Sequence, residues 1–121
     1  MIQKLTSRVV LAAALFTSFF GAASAQAGSV SCNVIEVAFA GNNRVHVRCS
    51  NAALDTVTGA QIFFYSVAID DSRATVLVDL ANAATSQNRQ LDIFFNDGDT
   101  SGSSFGCLAG DCRVPTNLYL N

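Results

Sequence analysis

From Arg44 to Ser50 the chain alternates between polar and apolar residues with a period of two, and the segment Ser31 to Ala40, separated from it by Gly41-Asn42-Asn43, is rich in apolar residues that include Ile35, Val37 and Phe39 at alternate positions. Strand side chains alternate between faces, and Gly and Asn tolerate positive φ, so the pattern predicts strands over Ser31–Ala40 and Arg44–Ser50 joined by a three-residue turn. That turn sets Ala40 opposite Arg44 and pairs Ile35 with Cys49, Val37 with Val47 and Phe39 with Val45 on one apolar face. On the other face it pairs Ala38 with His46 and Glu36 with Arg48, which brings opposite charges together in the register that buries the hydrophobes.

Ala60 to Ile69 is dense in β-branched and aromatic residues and reads as a third strand, with Phe63, Tyr65, Val67 and Ile69 on its more apolar face. Asp70, Asp71 and Ser72 supply side-chain oxygens and negative charge suited to a helix start. A helix of about four turns is expected next. Ala74, Leu77, Leu80, Ala81 and Ala84 recur there at spacings of three and four, a narrow stripe of mostly small residues that can lie close to a sheet. Gln90–Asn96 predicts a fourth strand with Leu91, Ile93 and Phe95 inward and Phe94 outward. After a loop from Asp97 to Asp111, Arg113–Leu120 predicts a fifth, which Pro115 should bulge or confine to an edge. The order β-β-β-α-β-β makes the chain mainly β with one helix. It is the order of the oligonucleotide/oligosaccharide-binding (OB) fold, a five-stranded Greek-key barrel, and equally of an open α+β sheet.

Composition changes this picture at the N-terminus. Lys4 and Arg8, the apolar run Val9–Gly21 and the small residues Ala23-Ser24-Ala25 make residues 1–25 an expected export signal, with cleavage near Ala25 and a working chain of residues 26–121. The apolar run is too short to anchor a chain once cleaved, and no membrane span is expected. The remaining domain is small enough that exported proteins of its size commonly add covalent cross-links. Secretion or a periplasmic location follows. Processing removes Lys4 and Arg8 and leaves five arginines, no lysine and nine carboxylates, a formal net of −4. Such a surface has no electrostatic reason to gather on nucleic acid or anionic lipid.

Cys32, Cys49, Cys107 and Cys112 all follow the expected cleavage site. Four cysteines permit three pairings. The nearest-neighbour scheme is Cys32 with Cys49 and Cys107 with Cys112, but the hairpin register puts Cys32 and Cys49 on opposite faces, beyond disulfide reach. It therefore favours Cys49 with Cys107 or Cys112. A zinc site competes, yet the spacing of Cys107 and Cys112 with no second close pair is poor zinc geometry, and export favours disulfides.

Candidate chemistry is sparse. His46, the only histidine, sits between Arg44 and Arg48 on the outward face; its bland reading is a solvated strand residue, its functional one part of a row binding anions or hydroxyls. Phe64 and Phe94 also fall on outward faces, where they are either an interface or covered by the helix or a barrel end. Asp97, Asp99 and Ser101, with Gly102 behind them, match the opening of a calcium loop, but Leu108 stands where its bidentate glutamate belongs, so a plain turn is favoured over a metal. No catalytic set emerges, no cofactor is implied, and the expected function is not enzymatic.

The expected signal, the hairpin ending in Arg44-Val45-His46-Val47-Arg48-Cys49, the alanine-bearing helix feeding Leu91–Phe95, and Gly106-Cys107 with Cys112-Arg113 resemble small exported bacterial proteins of unknown function. In element order and cysteine placement the chain is similar to the receptor-binding B subunits of AB5 toxins. That resemblance implies an OB-like barrel, assembly into a homo-oligomer, and recognition of a glycan or protein partner; it transfers no binding residue. The expectation is a noncatalytic exported binding module, with a structural or inhibitory envelope protein acting by protein contact as the alternative.

Overall fold

The computed structural model describes residues 27–121 except Asn42, and the proposed export signal lies outside the described residues. Its elements are β1 (Ala27–Cys32), β2 (Val34–Ala40), β3 (Arg44–Leu54), β4 (Gln61–Ala68), α1 (Ala74–Ser86), β5 (Leu91–Asn96), a 3-10 turn (Ser101–Phe105), β6 (Cys112–Arg113) and β7 (Pro115–Leu120). They form two sheets, β1-β5-β7 and β2-β3-β4-β6, antiparallel except where β6 runs parallel to β4. The protein is mainly β with one helix.

The expected first strand is two strands, broken at Asn33, and each half belongs to a different sheet. The hairpin register holds from Glu36 opposite Arg48 to Ala40 opposite Arg44, then slips at Ile35, so that Val34 takes the place opposite Cys49. One extra residue in a bulge reverses the parity of everything before it. Ile35 is therefore exposed rather than paired on the apolar face, and the two-face argument against a Cys32–Cys49 bond fails. The bonds are Cys32–Cys49 and Cys107–Cys112, and the expected link from Cys49 to the later cysteines is not made. Cys32 ends β1 in one sheet and Cys49 lies within β3 of the other, so the first disulfide joins the two sheets inside the core.

Val45, Val47, Cys49, Ile62, Tyr65 and Val67 from one sheet meet Val30, Cys32, Leu91, Ile93 and Phe95 from the other. Alternation places Leu91, Ile93 and Phe95 inward as expected. Gly28 lies opposite Phe95, and a Cβ there would overlap its ring, so the missing side chain is what lets that ring fold back over β1. Leu77 and Ala81 of α1 are fully buried and Ala74 and Ala84 nearly so, the small-residue stripe anticipated for close helix-to-sheet contact.

Two element ends depart from expectation. No side chain caps the start of α1; Asp71 instead accepts from the backbone N–H and the guanidinium of Arg73, the residue before the first helical one. The end is a Schellman arrangement: Asn88 takes a left-handed φ of 53°, its N–H reaches the Thr85 carbonyl and that of Arg89 reaches Ala84. The expected last strand divides at Val114, β6 lying beside β4 and β7 forming the outer edge of the other sheet, where Pro115 lacks a ladder donor at no cost.

Candidate functional site

His46 and Ser66 face each other across the β3–β4 ladder, and Arg44 and Phe64 lie one alternation away on the same face. Gly106, Leu108, Asp111 and Cys112 complete the wall of a pocket of about 160 Å³ whose floor is this strand pair. The wall is held on β4 by the Asp111 carbonyl, which accepts from the N–H groups of both Phe63 and Phe64, and by the Cys107–Cys112 disulfide, which closes the loop carrying Leu108 and Asp111.

Three of the five residues expected to form a binding surface converge here: Arg44, His46 and Phe64. Arg48 is exposed beside the pocket with its guanidinium carbon 5.6 Å from the Phe64 ring centre, a cation–π contact. Phe94 does not join them. It belongs to β5 in the other sheet, half-buried, with its ring edge-to-face against Tyr119.

His46 is not the solvated residue that alternation implied, being only 8% exposed. Phe64 packs edge-on against its ring, and Glu36, two residues along β2 from Ala38, the ladder partner of His46, bonds its Nε2 at 2.8 Å. Glu36 thus pairs with His46 and not with Arg48, although the backbone register sets it opposite Arg48. An ionised carboxylate only accepts, so Nε2 carries the proton toward Glu36, and Nδ1 is the ring's remaining polar atom. Nδ1 is buried and has no partner among the described residues. The same is true of the Ser66 hydroxyl, which is fully buried. Buried polar atoms are nearly always paired, so these two on one pocket floor leave hydrogen-bonding capacity for a water or a ligand group.

Arg44 enters the pocket beside Gly106, whose left-handed φ of 91° and absent Cβ leave room for the guanidinium; a side chain there would collide with it. Among the described residues the ion pairs are His46–Glu36, Arg73–Asp71 and Arg113–Asp55. Neither Arg44 nor Asp111 takes part in one, although both line the same pocket.

A second polar centre is structural. Asp55 and Arg113, both fully buried, bond at 2.7 Å. Asp55 also accepts from the N–H groups of Val57, Thr58 and Gly98, while Arg113 donates to the carbonyls of Ala109 and Cys112 and to the Thr58 hydroxyl. Burial works to raise the Asp55 pKa, but the bonds from Gly98, Thr58, Arg113 and Val57 together hold it down at about 2. Burial pushes the Tyr65 phenol well above its ordinary range, against the opposing field of Arg113. Of the carboxylates compared with a calcium loop, Asp99 accepts from the Ser101 N–H within its turn, and Asp97 accepts through Oδ2 from the Thr56 hydroxyl of the β3–β4 turn while its Oδ1 is buried without a partner among the described residues. No group of three metal-ligating side chains converges among the described residues.

Sequence reasoning missed Ser66, Gly106, Leu108 and Asp111. Ser66 was legible in principle, as the polar residue opposite His46 once the third strand is paired with the second; the loop residues reach the site only through the parallel β4–β6 contact. Compared with protein-family models, curated proteins and solved structures, the chain matches none.

Proposed function

We propose that this protein is a noncatalytic exported binding module that takes a hydroxyl-bearing ligand, a carbohydrate on a cell surface or in its surroundings, into the pocket between β3, β4 and the loop that ends at β6. The observation that carries this reading is the pair of buried, unpartnered atoms His46 Nδ1 and Ser66 Oγ in one pocket. One acceptor and one hydroxyl side by side match a ligand hydroxyl, which donates to the first and accepts from the second. Phe64 offers an apolar face to the carbon side of a sugar ring, and Arg44 and Asp111 offer planar polar groups to neighbouring hydroxyls. Two disulfides fit the oxidising compartment that export implies.

The OB-like barrel belongs to the same proposal. If Asn33 and Val114 are kinks within strands, the ladder partners run from β1/β2 to β3, β4, β6/β7, β5 and back to β1, the order of a five-stranded Greek-key barrel with a parallel contact between its third and last strands. The resemblance to toxin B subunits adds a homo-oligomer to this reading, tested by the solution mass at micromolar concentration.

Oxidised protein screened on a glycan array and followed by calorimetry tests the function. Ser66→Ala is expected to weaken binding of any hit about tenfold, the worth of one good hydrogen bond, with the thermal melt retained. An array without hits removes the proposal. The alternative, a structural or inhibitory envelope protein, draws on one observation: Phe39, 73% exposed, lines an apolar groove with Val45, Ile69, Ala74 and Val78. A partner captured through that groove should survive washing with free sugar.

A further inference from the structure

The geometry points to a zwitterionic ligand, a hydroxylated molecule carrying both a carboxylate and an ammonium group, such as an amino sugar with an acid substituent. This rests on the binding role proposed above and narrows it to a chemical class.

Arg44 and Asp111 are half-buried, unlike in charge, and line the same pocket without bonding each other or any other charged side chain among the described residues. Unlike charges brought into one concave site ordinarily pair, because each has lost part of its hydration. Here they do not. The Arg44 guanidinium lies where a Cβ at either Gly106 or Gly41 would crowd its Nη1, and the Asp111 backbone is fixed to β4 by the two N–H groups its carbonyl accepts. A plain anion would gain Arg44 and meet Asp111, and a plain cation would do the reverse. A neutral sugar would leave both charges uncompensated. Only a ligand with both signs satisfies the two poles at once, its carboxylate on Arg44 in the fork geometry a guanidinium favours and its ammonium on Asp111.

The floor between the poles supplies the third point of attachment. His46 Nδ1 and Ser66 Oγ, both buried and unpartnered, take a ligand hydroxyl, and Phe64 covers the apolar carbons. A pocket of about 160 Å³ holds the charged and hydroxylated part of a single sugar residue and leaves its remainder in solvent. Arg48 and Glu36 add no net bias at the rim, since Arg48 lies on Phe64 and Glu36 is bonded to His46.

Four hexose probes on one scaffold test the class by calorimetry at neutral pH: muramic acid, with both charges; glucosamine, with only the ammonium; glucuronate, with only the carboxylate; and glucose, with neither. Muramic acid is expected to bind at least about tenfold more tightly than each of the others. Arg44→Gln should erase its advantage over glucosamine, and Asp111→Asn its advantage over glucuronate, while the wild-type series stands without any variant folding. Equal binding of all four, or preference for a singly charged or neutral probe, overturns the zwitterion assignment and leaves the binding role intact. No binding by any of the four, together with an empty glycan array, removes both.

Discussion

Asp55 shows how much one residue can hold in a domain this small. It accepts three backbone N–H groups and the Arg113 guanidinium, so the β3–β4 turn, the start of the loop after β5 and β6 all depend on a single carboxylate. Asp55→Ala leaves Arg113 buried without its counter-charge and should cost about 3–5 kcal/mol, read as a fall in the denaturation midpoint. The pH dependence has a definite sign. The folded pKa of about 2 lies below the ordinary aspartate value of 3.8, so the stabilisation is complete above that value and disappears as pH falls through about 2. Asp71, held at about 2 first by its bonds from Arg73, shifts the same way, but its partner is half-exposed and contributes little. An acid titration followed by circular dichroism should therefore show unfolding between about pH 4 and 2 that Asp55→Ala removes. None of this was legible in sequence, because the groups Asp55 gathers from the later loop lie 43 and 58 residues away.

Among the elements, legibility followed the regularity of the backbone. β5 and α1 have no interruption, and their alternation and three-four spacing placed Leu91, Ile93, Phe95, Leu77 and Ala81 in the core correctly. The first strand failed for a local reason: the bulge at Ile35 inserts one residue that a period-two reading cannot register, the break at Asn33 sends the preceding residues into the other sheet, and the disulfide expectation failed with it. The two bonds also differ in weight. Cys32–Cys49 closes a separation of 17 residues and Cys107–Cys112 one of 5, which on chain entropy gives about 3 against about 2 kcal/mol. Urea unfolding of the paired Cys→Ala variants should rank them in that order, and the reverse ranking would show that the inter-sheet bond adds nothing to the core.

For the molecule as a whole, the mainly β class with one helix could be read from the chain, whereas the division of its first and last expected strands between two sheets could not, nor could the pocket, because half its wall comes from a loop that returns to β4 by a parallel contact. Lys4 is the only lysine in the chain. Protein recovered outside the cytoplasm should therefore take up at most one amine-reactive label, at its new N-terminus. Two labels on the intact mass would mean that the export signal remains attached.

The short ring closed by Cys107 and Cys112 frames the mouth of the pocket in which binding is proposed. A reduced chain would keep Arg44, His46 and Ser66 on their strands but lose the brace that positions Leu108 and Asp111 opposite them. If the chain is exported and binds as proposed above, recognition would begin only once the ring is oxidised, sparing the producing cell's own metabolites from capture during synthesis.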